Sequence, residues 1–133
     1  MTDGFGLFYR RWGREGAEVR RAVICIHGLP GQADQFQLLA RDLVSEGSEV
    51  YAIDLRGFGN SVEQGLPRGD TRNFQRHLQD LDEVIENVCR KHQGKEIFLL
   101  GYSVGGNYAV WYAARHPGSL DGLILLAPGA RIN

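Results

Sequence analysis

The amino-acid sequence predicts an α/β domain with a mostly parallel, doubly wound sheet. Two observations favour this fold class. Short apolar segments alternate with amphipathic segments along the 133 residues, and the inner apolar segments are continuous, as expected of strands that are covered on both faces. Strand–helix–strand order of this kind builds parallel sheets through right-handed crossovers. At this length we expect one domain at most, and the chain contains no internal repeats.

The first half of the chain predicts three strands and one helix. Residues 5–12 alternate between apolar and polar side chains, which is typical of a strand near a sheet edge. The apolar run 22–26 predicts a central strand, and residues 28–31 interrupt it. The amphipathic helix that follows is expected to end at Gly47. Residues 50–53 predict the third strand.

The second half predicts two more helices and two more strands. A polar, glycine-rich loop is expected to reach Asp70, and the helix after it ends before Gly94. The apolar run 97–100 predicts a strand, and a short helix runs from its end through Ala114. Residues 123–126 predict the last strand. The apolar stripe of the longer helix is formed by Phe74, Leu78, Leu81, Ile85 and Val88.

Three polar residues lie just past the ends of three of the predicted inner strands. They are His27, Asp54 and Ser103. The carboxyl ends of parallel strands meet at one edge of a sheet, where ligands bind at the switch point in strand order. The three residues are therefore expected to converge on one edge of the sheet.

The segment around Ser103 has the pattern G-x-S-x-G, with Gly101 and Gly105 at the outer positions. The pattern stands between an apolar strand and an apolar helix, which predicts a sharp turn that holds the serine hydroxyl clear of the sheet. Glycine is required on both sides because strand and helix approach too closely there for a side chain.

Composition and sequence patterns give no support to several other classes of function. The net charge of −1 gives no support to binding of nucleic acid or of an anionic membrane. The N-terminal residues show no signal-peptide pattern, and the longest apolar run near the end, residues 123–127, is too short to span a bilayer. Cys25 and Cys89 are expected to be unpaired buried thiols without metal or redox function, which favours a reducing, cytoplasmic setting.

Three motifs together carry a resemblance to a known family. They are residues 27–31 (His-Gly-Leu-Pro-Gly), residues 54–61 (Asp-Leu-Arg-Gly-Phe-Gly-Asn-Ser) and residues 101–106 (Gly-Tyr-Ser-Val-Gly-Gly). With this order and spacing the chain resembles the α/β-hydrolase fold from about Phe8 onward. Within that fold it is similar to the monoacylglycerol lipase, lysophospholipase and serine-aminopeptidase-like group.

The resemblance implies a carboxylic ester hydrolase that acts through an acyl-enzyme intermediate. Ser103 would be the nucleophile, and the backbone N–H groups of Leu29 and Val104 would form the oxyanion hole. The implied substrate is a small acyl ester, and the implied chemistry needs no metal and no organic cofactor. A peptidase, an acyltransferase and an enzyme that cleaves carbon–carbon bonds are alternatives within the fold.

The resemblance also implies structural roles for several motif residues. His27 is expected to support the oxyanion loop rather than to act as the catalytic base, and Gly28 belongs to the same motif. Asp54, Arg56 and Ser61 are expected to tie their loop together. Outside the motifs, the helical pattern predicts that His77 and His92 are solvated on or beside a charged helix surface, and His116, which precedes Pro117, is expected at a helix end. Gly101 and Gly105 serve the tight turn.

The catalytic acid and histidine of this family follow the serine along the chain. After Ser103 only Asp121 and His116 have suitable side chains, and both are expected at the sheet edge opposite the serine. Residues 1–133 are therefore expected to be the N-terminal portion of one α/β-hydrolase domain, without its cap and later strands. Three alternatives stay open, namely a truncated enzyme, one part of a split enzyme and a shortened non-catalytic interaction module.

Such a half-domain would expose apolar surface. The strand 123–126 is expected at a sheet edge without a neighbour, and it contains no lysine or proline. An unprotected apolar edge favours association. We therefore expect either self-association or pairing with a complementary C-terminal half, and low stability of the isolated chain.

Overall fold

The computed structural model describes residues 1–62, 64–69 and 73–129. This part of the chain forms one five-stranded sheet and three α-helices. The strands are β1 (Tyr9–Trp12), β2 (Arg21–Ile26), β3 (Ser48–Ile53), β4 (Glu96–Tyr102) and β5 (Gly122–Leu126). The helices are α1 (Gln37–Ser45), α2 (Phe74–Lys91) and α3 (Val104–Arg115). The expected end of the glycine-rich loop at Asp70 lies outside the described residues.

The strand order in the sheet is β1-β3-β2-β4-β5. β1 pairs antiparallel with β3, and the other neighbours are parallel. β2 is the central strand, and its Cys25 stands in register between Ala52 of β3 and Leu100 of β4. The predicted mostly parallel α/β sheet is therefore confirmed, and so are the predicted edge positions of the first and last strands.

The helices cover both faces of the sheet, as the prediction of a doubly wound sheet requires. From β2 the chain passes through α1 to β3 on one side, and later returns to β4 on the other side of β2. Right-handed crossovers in opposite directions place their helices on opposite faces. α1 therefore packs on the face that carries Val23 and Ala52, while α2 and α3 pack on the face that carries Ile24 and Leu99.

Local sequence explains where the helices begin and end. A 3-10 turn, Ala33–Phe36, precedes α1, and Gly47 follows it with a φ of +82°, a conformation that favours glycine. The side chain of Asn73 caps α2 by accepting a hydrogen bond from the Arg76 N–H at 3.0 Å. His116 is the C-terminal cap residue of α3, which confirms its predicted place at a helix end.

The prediction that His77 and His92 are solvated is wrong. Their exposed fractions are only 2% and 7%. The ring of His77 stacks on Tyr108, with ring centroids 6.1 Å apart, and His92 Nε2 lies 3.0 Å from the Tyr51 hydroxyl. His77 stands three residues after Phe74, at the spacing of the apolar stripe, so the sequence carried a signal for its burial.

Two smaller differences concern the edges of predicted elements. The first strand begins at Tyr9 instead of residue 5. Directly before it, the Phe8 N–H donates to the side chain of Ser61 at 2.8 Å instead of to a neighbouring strand. Phe74, predicted on the apolar stripe of α2, is about half exposed and stacks on Tyr108.

Candidate active site

Ser103 occupies the sharp turn between β4 and α3. Its φ is +53° and its ψ is −121°, a backbone conformation that costs a residue with a side chain about 1–3 kcal/mol. Three backbone hydrogen bonds hold the turn, one of them from the Gly129 N–H to the Ser103 carbonyl at 3.1 Å. The Ser103 N–H donates to the Leu126 carbonyl at 2.9 Å, and the Gly106 N–H donates to the Ser103 carbonyl at 2.9 Å. The turn is therefore fixed by both β5 and α3.

Glycines let the backbone segments around this turn come into contact. A Cβ on Gly105 would lie 2.6 Å from the His27 carbonyl oxygen, and a Cβ on Gly101 would lie 2.5 Å from the Cα of Gly106. A Cβ on Gly28 would lie 2.8 Å from the Cβ of Ser103. All three distances are shorter than real Cβ contacts allow, so only glycine fits these positions.

The close approach of Gly28 places the loop after β2 beside the serine. In the described part of the chain, no group accepts a hydrogen bond from the N–H of Leu29 or of Val104. Val104 is the first residue of α3, where backbone N–H groups have no partner within the helix. The Ser103 hydroxyl likewise makes no hydrogen bond to a described residue. One hydroxyl and two free backbone donors are thus available at this edge of the sheet.

His27 is fully buried and uses both ring nitrogens for structure. Its Nε2 accepts a hydrogen bond from the Leu55 N–H at 3.0 Å, so the ring proton lies on Nδ1 and is donated to the Gly28 carbonyl at 2.7 Å. Burial lowers the pKa of His27, which favours the neutral ring that this pattern requires. His27 therefore joins the loop after β2 to the loop after β3.

Asp54 makes a second connection between the same two loops. Its carboxylate accepts hydrogen bonds from the N–H of Ala33 at 2.5 Å and from the N–H of Asn60 at 2.8 Å. A Cβ on Gly59 would overlap this carboxylate, and the φ of Gly59 is +51°. The carboxylate thus bonds to the backbone of both loops.

Arg56 joins the loop after β3 to α2. Its guanidinium donates to both carboxylate oxygens of the buried Asp80, at 2.7 and 3.0 Å, and this pairing raises the pKa of Arg56. It also bonds Asp3 Oδ2 at 2.9 Å. Ser61 acts at the other end of the loop, where its Oγ accepts the Phe8 N–H at 2.8 Å. The sequence predicted that Arg56 and Ser61 tie their own loop together. Both instead bond to residues outside that loop.

No histidine forms a hydrogen bond to Ser103 in the described residues. His116 Nε2 lies 3.1 Å from Asp82 Oδ1, and His92 lies beside Tyr51. The Asp121 carboxylate accepts the Ile97 N–H near the start of β4, at 2.7 Å. β4 begins at the sheet edge opposite the serine, so the position of Asp121 agrees with the sequence prediction.

The described residues contain no group of three or more His, Cys, Asp or Glu side chains that could hold a metal ion. Cys25 is buried in β2, and burial raises the pKa of its thiol to about 12. Cys89 is half-buried, and both cysteines are free thiols. None of the described helices is long and apolar enough to cross a membrane.

The sheet and the serine turn are those of the α/β-hydrolase fold. Residues 17–133 match the family described as Hydrolase_4: serine aminopeptidase, S33. The chain therefore belongs to this family, and the predicted resemblance is confirmed.

Curated relatives include lipases and a peptidase. The chain is 31% identical to the monoglyceride lipase of Homo sapiens over 127 residues, which are 96% of this chain and 41% of that protein. It is 34% identical to the proline iminopeptidase of Clostridioides difficile, over 85% of this chain and 36% of that protein.

Solved structures show the same fold. The monoacylglycerol lipase of Paleococcus ferrophilus superposes with a TM-score of 0.77 at 27% identity, over 95% of this chain and 44% of that one. A soluble variant of monoglyceride lipase from Saccharomyces cerevisiae, in complex with a substrate analog, gives a TM-score of 0.79 at 28% identity, over 90% and 40%. The chain thus spans about two fifths of the length of the relatives it matches.

Proposed function

We propose that this chain supplies the nucleophile and the oxyanion hole of a serine hydrolase that cleaves carboxylic esters. The observation that carries the proposal is the turn at Ser103, with its positive φ and its contact with Gly28. A serine held in this strained conformation at the carboxyl ends of parallel strands is typical of a nucleophile elbow. The similarity to monoglyceride lipases supports the same conclusion.

The proposed reaction proceeds in two steps. Ser103 Oγ attacks the ester carbonyl carbon as a base takes its proton, and the carbonyl oxygen becomes an oxyanion. The N–H groups of Leu29 and Val104 stabilise this oxyanion, and each such donor contributes about 3–4 kcal/mol. Collapse expels the alcohol, which takes the proton from the base. Water then attacks the acyl-Ser103 ester, releases the carboxylic acid and restores the hydroxyl.

The base for Ser103 is proposed to come from outside these 133 residues. The sequence contains four histidines. His27 uses both ring nitrogens in the loop connection, His92 lies at the far end of the sheet, and His116 pairs with Asp82. His77 is buried against Tyr108. A histidine and an acid from a further segment or a second chain would complete the site.

Covalent labelling with a fluorophosphonate tests this proposal on the protein at its native length. We expect the wild type to be labelled on one serine and the Ser103→Ala variant not to be labelled. Ser45→Ala is the matched control, because Ser45 is an exposed serine at the end of α1 whose hydroxyl donates to the Asp42 carbonyl. We expect the Ser45→Ala variant to be labelled like wild type. Persistent labelling of Ser103→Ala, or no labelling of folded wild type, would contradict the proposal.

Peptide hydrolysis is a second candidate. The family description and the 34% identity to a proline iminopeptidase favour it, and both reactions use the same serine and oxyanion hole. Rates on a monoacylglycerol and on a prolyl amide distinguish the two. We expect the ester to be the better substrate by kcat/KM, and a preference for the amide would assign the peptidase activity.

The edge of β5 is proposed as the place where the chain associates. Leu123, Ile124, Leu125 and Leu126 each expose 38–42% of their surface, and among the described strands β5 has a neighbour on one side only. Two occupants of this edge remain alternatives, namely a complementary C-terminal half and a second copy of the chain. The intact mass of the protein as its source makes it tests the first alternative, because a mass well above that of 133 residues indicates a longer polypeptide that carries the C-terminal half itself.

A further inference from the structure

A cavity lies beside the loop that carries Leu29. It has a volume of about 410 Å³. One wall is formed by residues 30–32 of the loop after β2, and the opposite wall by residues 57–59 of the loop after β3. Arg68 and Gly69 complete the lining from the glycine-rich segment. The cavity therefore opens at the sheet edge where Ser103 lies.

The same short loop connects the cavity to the serine. Gly28 packs against the Cβ of Ser103 on one side. Three residues further on, a Cβ on Gly31 would lie 2.5 Å from the Gly28 carbonyl oxygen, so the loop folds back tightly on itself. Leu29 stands between these two glycines. A substrate whose carbonyl oxygen binds the Leu29 N–H can thus place another of its groups in the cavity.

Arg68 is held at this cavity by backbone contacts. One guanidinium nitrogen, Nη1, donates to the Gly59 carbonyl at 3.1 Å. The neighbouring Gly69 N–H donates to the Gly57 carbonyl at 2.8 Å, and a Cβ on Gly69 would lie 3.7 Å from the ring of Phe58. A guanidinium has five N–H donors in a planar fork, and this one makes no other hydrogen bond within the described chain. Its remaining donors are available to a ligand.

The cavity has a single charge among its described lining residues, and that charge is positive. The other lining residues are glycines, Pro30, Gln32 and Phe58. An arginine fork in a cavity of this composition fits the paired oxygens of a carboxylate or a phosphate, which bind guanidinium groups in a bidentate manner. An uncharged glycerol group would leave these donors to water.

We propose that Arg68 binds an anionic group of the substrate and gives the enzyme a preference for negatively charged acyl esters. This inference rests on the proposed function, because it places the anionic group relative to the oxyanion hole at Leu29. Arg68 is a specificity-determining residue in this proposal, and the phosphate and the carboxylate are two sources of the same anionic chemistry.

Equilibrium binding tests the proposal independently of turnover. The protein at its native length, carrying Ser103→Ala, is titrated with octanoylglycerol, octanoylglycerol 3-phosphate and octanoyl lactate. We expect both anionic esters to bind more tightly than the neutral ester. Adding Arg68→Gln should weaken their binding about 10- to 100-fold, as for loss of a charged hydrogen bond, and change the neutral ester less than about threefold. If Arg68→Gln weakens binding of octanoylglycerol 3-phosphate more than binding of octanoyl lactate, the anionic group that Arg68 prefers is a phosphate.

Arg90→Gln is the matched control, because Arg90 is an exposed arginine in the last turn of α2 and its removal changes net charge equally. We expect it to leave all three affinities unchanged. Equal affinity for charged and neutral esters, or equal losses in the Arg68 and Arg90 variants, would overturn the proposal. If esters bind in this Arg68-dependent way but wild type hydrolyses none of them, the proposed function fails and the anion site stands.

Discussion

Ser103 carries the proposed nucleophilic hydroxyl and also has an unfavourable backbone conformation. Two substitutions distinguish the loss of the hydroxyl from the relief of backbone strain. At a φ of +53°, alanine retains the strain of a side chain, whereas glycine relieves it. We expect Ser103→Gly to unfold with a free energy about 1 kcal/mol higher than Ser103→Ala, while neither is labelled by fluorophosphonate. Urea denaturation measures the difference. An alanine variant as stable as the glycine variant would show that the turn is not strained.

Gly105 tests the contact between the first turn of α3 and β2. A Cβ there would overlap the Ile26 carbonyl and lie 2.6 Å from the His27 carbonyl, and both carbonyls belong to the backbone at the end of the central strand β2. We expect Gly105→Ala to lower the free energy of unfolding by about 1–3 kcal/mol or more, as overpacking does. A Cβ on Gly6 meets nothing within 4 Å, so Gly6→Ala should unfold within about 0.5 kcal/mol of wild type.

At the scale of elements, one buried carboxylate joins β1, β3 and α2. Glu49 of β3 is only 4% exposed. It accepts hydrogen bonds from Arg11 of β1 at 2.6 and 3.1 Å, and from Lys91 of α2 at 2.9 Å. The Tyr51 hydroxyl donates to the same carboxylate. The Arg11 guanidinium, with Tyr51 and Lys91, holds the pKa of Glu49 well below its usual range despite burial.

This low pKa predicts how stability depends on pH. A carboxylate whose folded pKa is depressed stabilises the fold above its unfolded pKa, near 4.3, and loses that contribution as pH falls. We expect Glu49→Gln to lower the free energy of unfolding by about 2 kcal/mol at pH 7. The gap to wild type should narrow by about 1–2 kcal/mol at pH 3. Glu46→Gln is the control, because Glu46 is exposed. A difference in free energy of unfolding between Glu49→Gln and wild type that stays constant with pH would contradict this account.

The sequence predicted the elements and the site better than it predicted the contacts between elements. Ser103, Asp54 and His27 could be located because each directly follows a strand, and parallel strands bring their carboxyl ends together. The buried partners of Glu49 could not be predicted, because Arg11 and Lys91 are 38 and 42 residues away. For a polar side chain, burial depends on such distant partners, whereas for an apolar stripe it follows from local periodicity.

At the scale of the molecule, the two edges of the sheet differ. β1 carries Arg10 and Arg11, and charged side chains protect an edge from pairing with another chain. β5 carries only apolar side chains after Gly122. In register, Ile124 lies beside Leu100, on the sheet face where α1 packs. Ile124 is nevertheless 39% exposed, so this face remains partly open at the β5 edge.

The open edge predicts association of the 133-residue chain by itself. We expect its average mass in analytical ultracentrifugation to rise with concentration, because strand pairing and apolar burial both occur at β5. Ile124→Lys places a charge on this edge and should reduce the association at least about tenfold, since burying an unpaired ammonium is costly. Leu38→Lys is the matched control, because Leu38 is an exposed leucine on α1 with 74% of its surface accessible. Association that is unchanged by Ile124→Lys, or reduced equally by Leu38→Lys, would place the contact elsewhere. A chain that stays monomeric at every concentration and melts in one sharp, reversible transition would show that β5 is a stable edge without a partner.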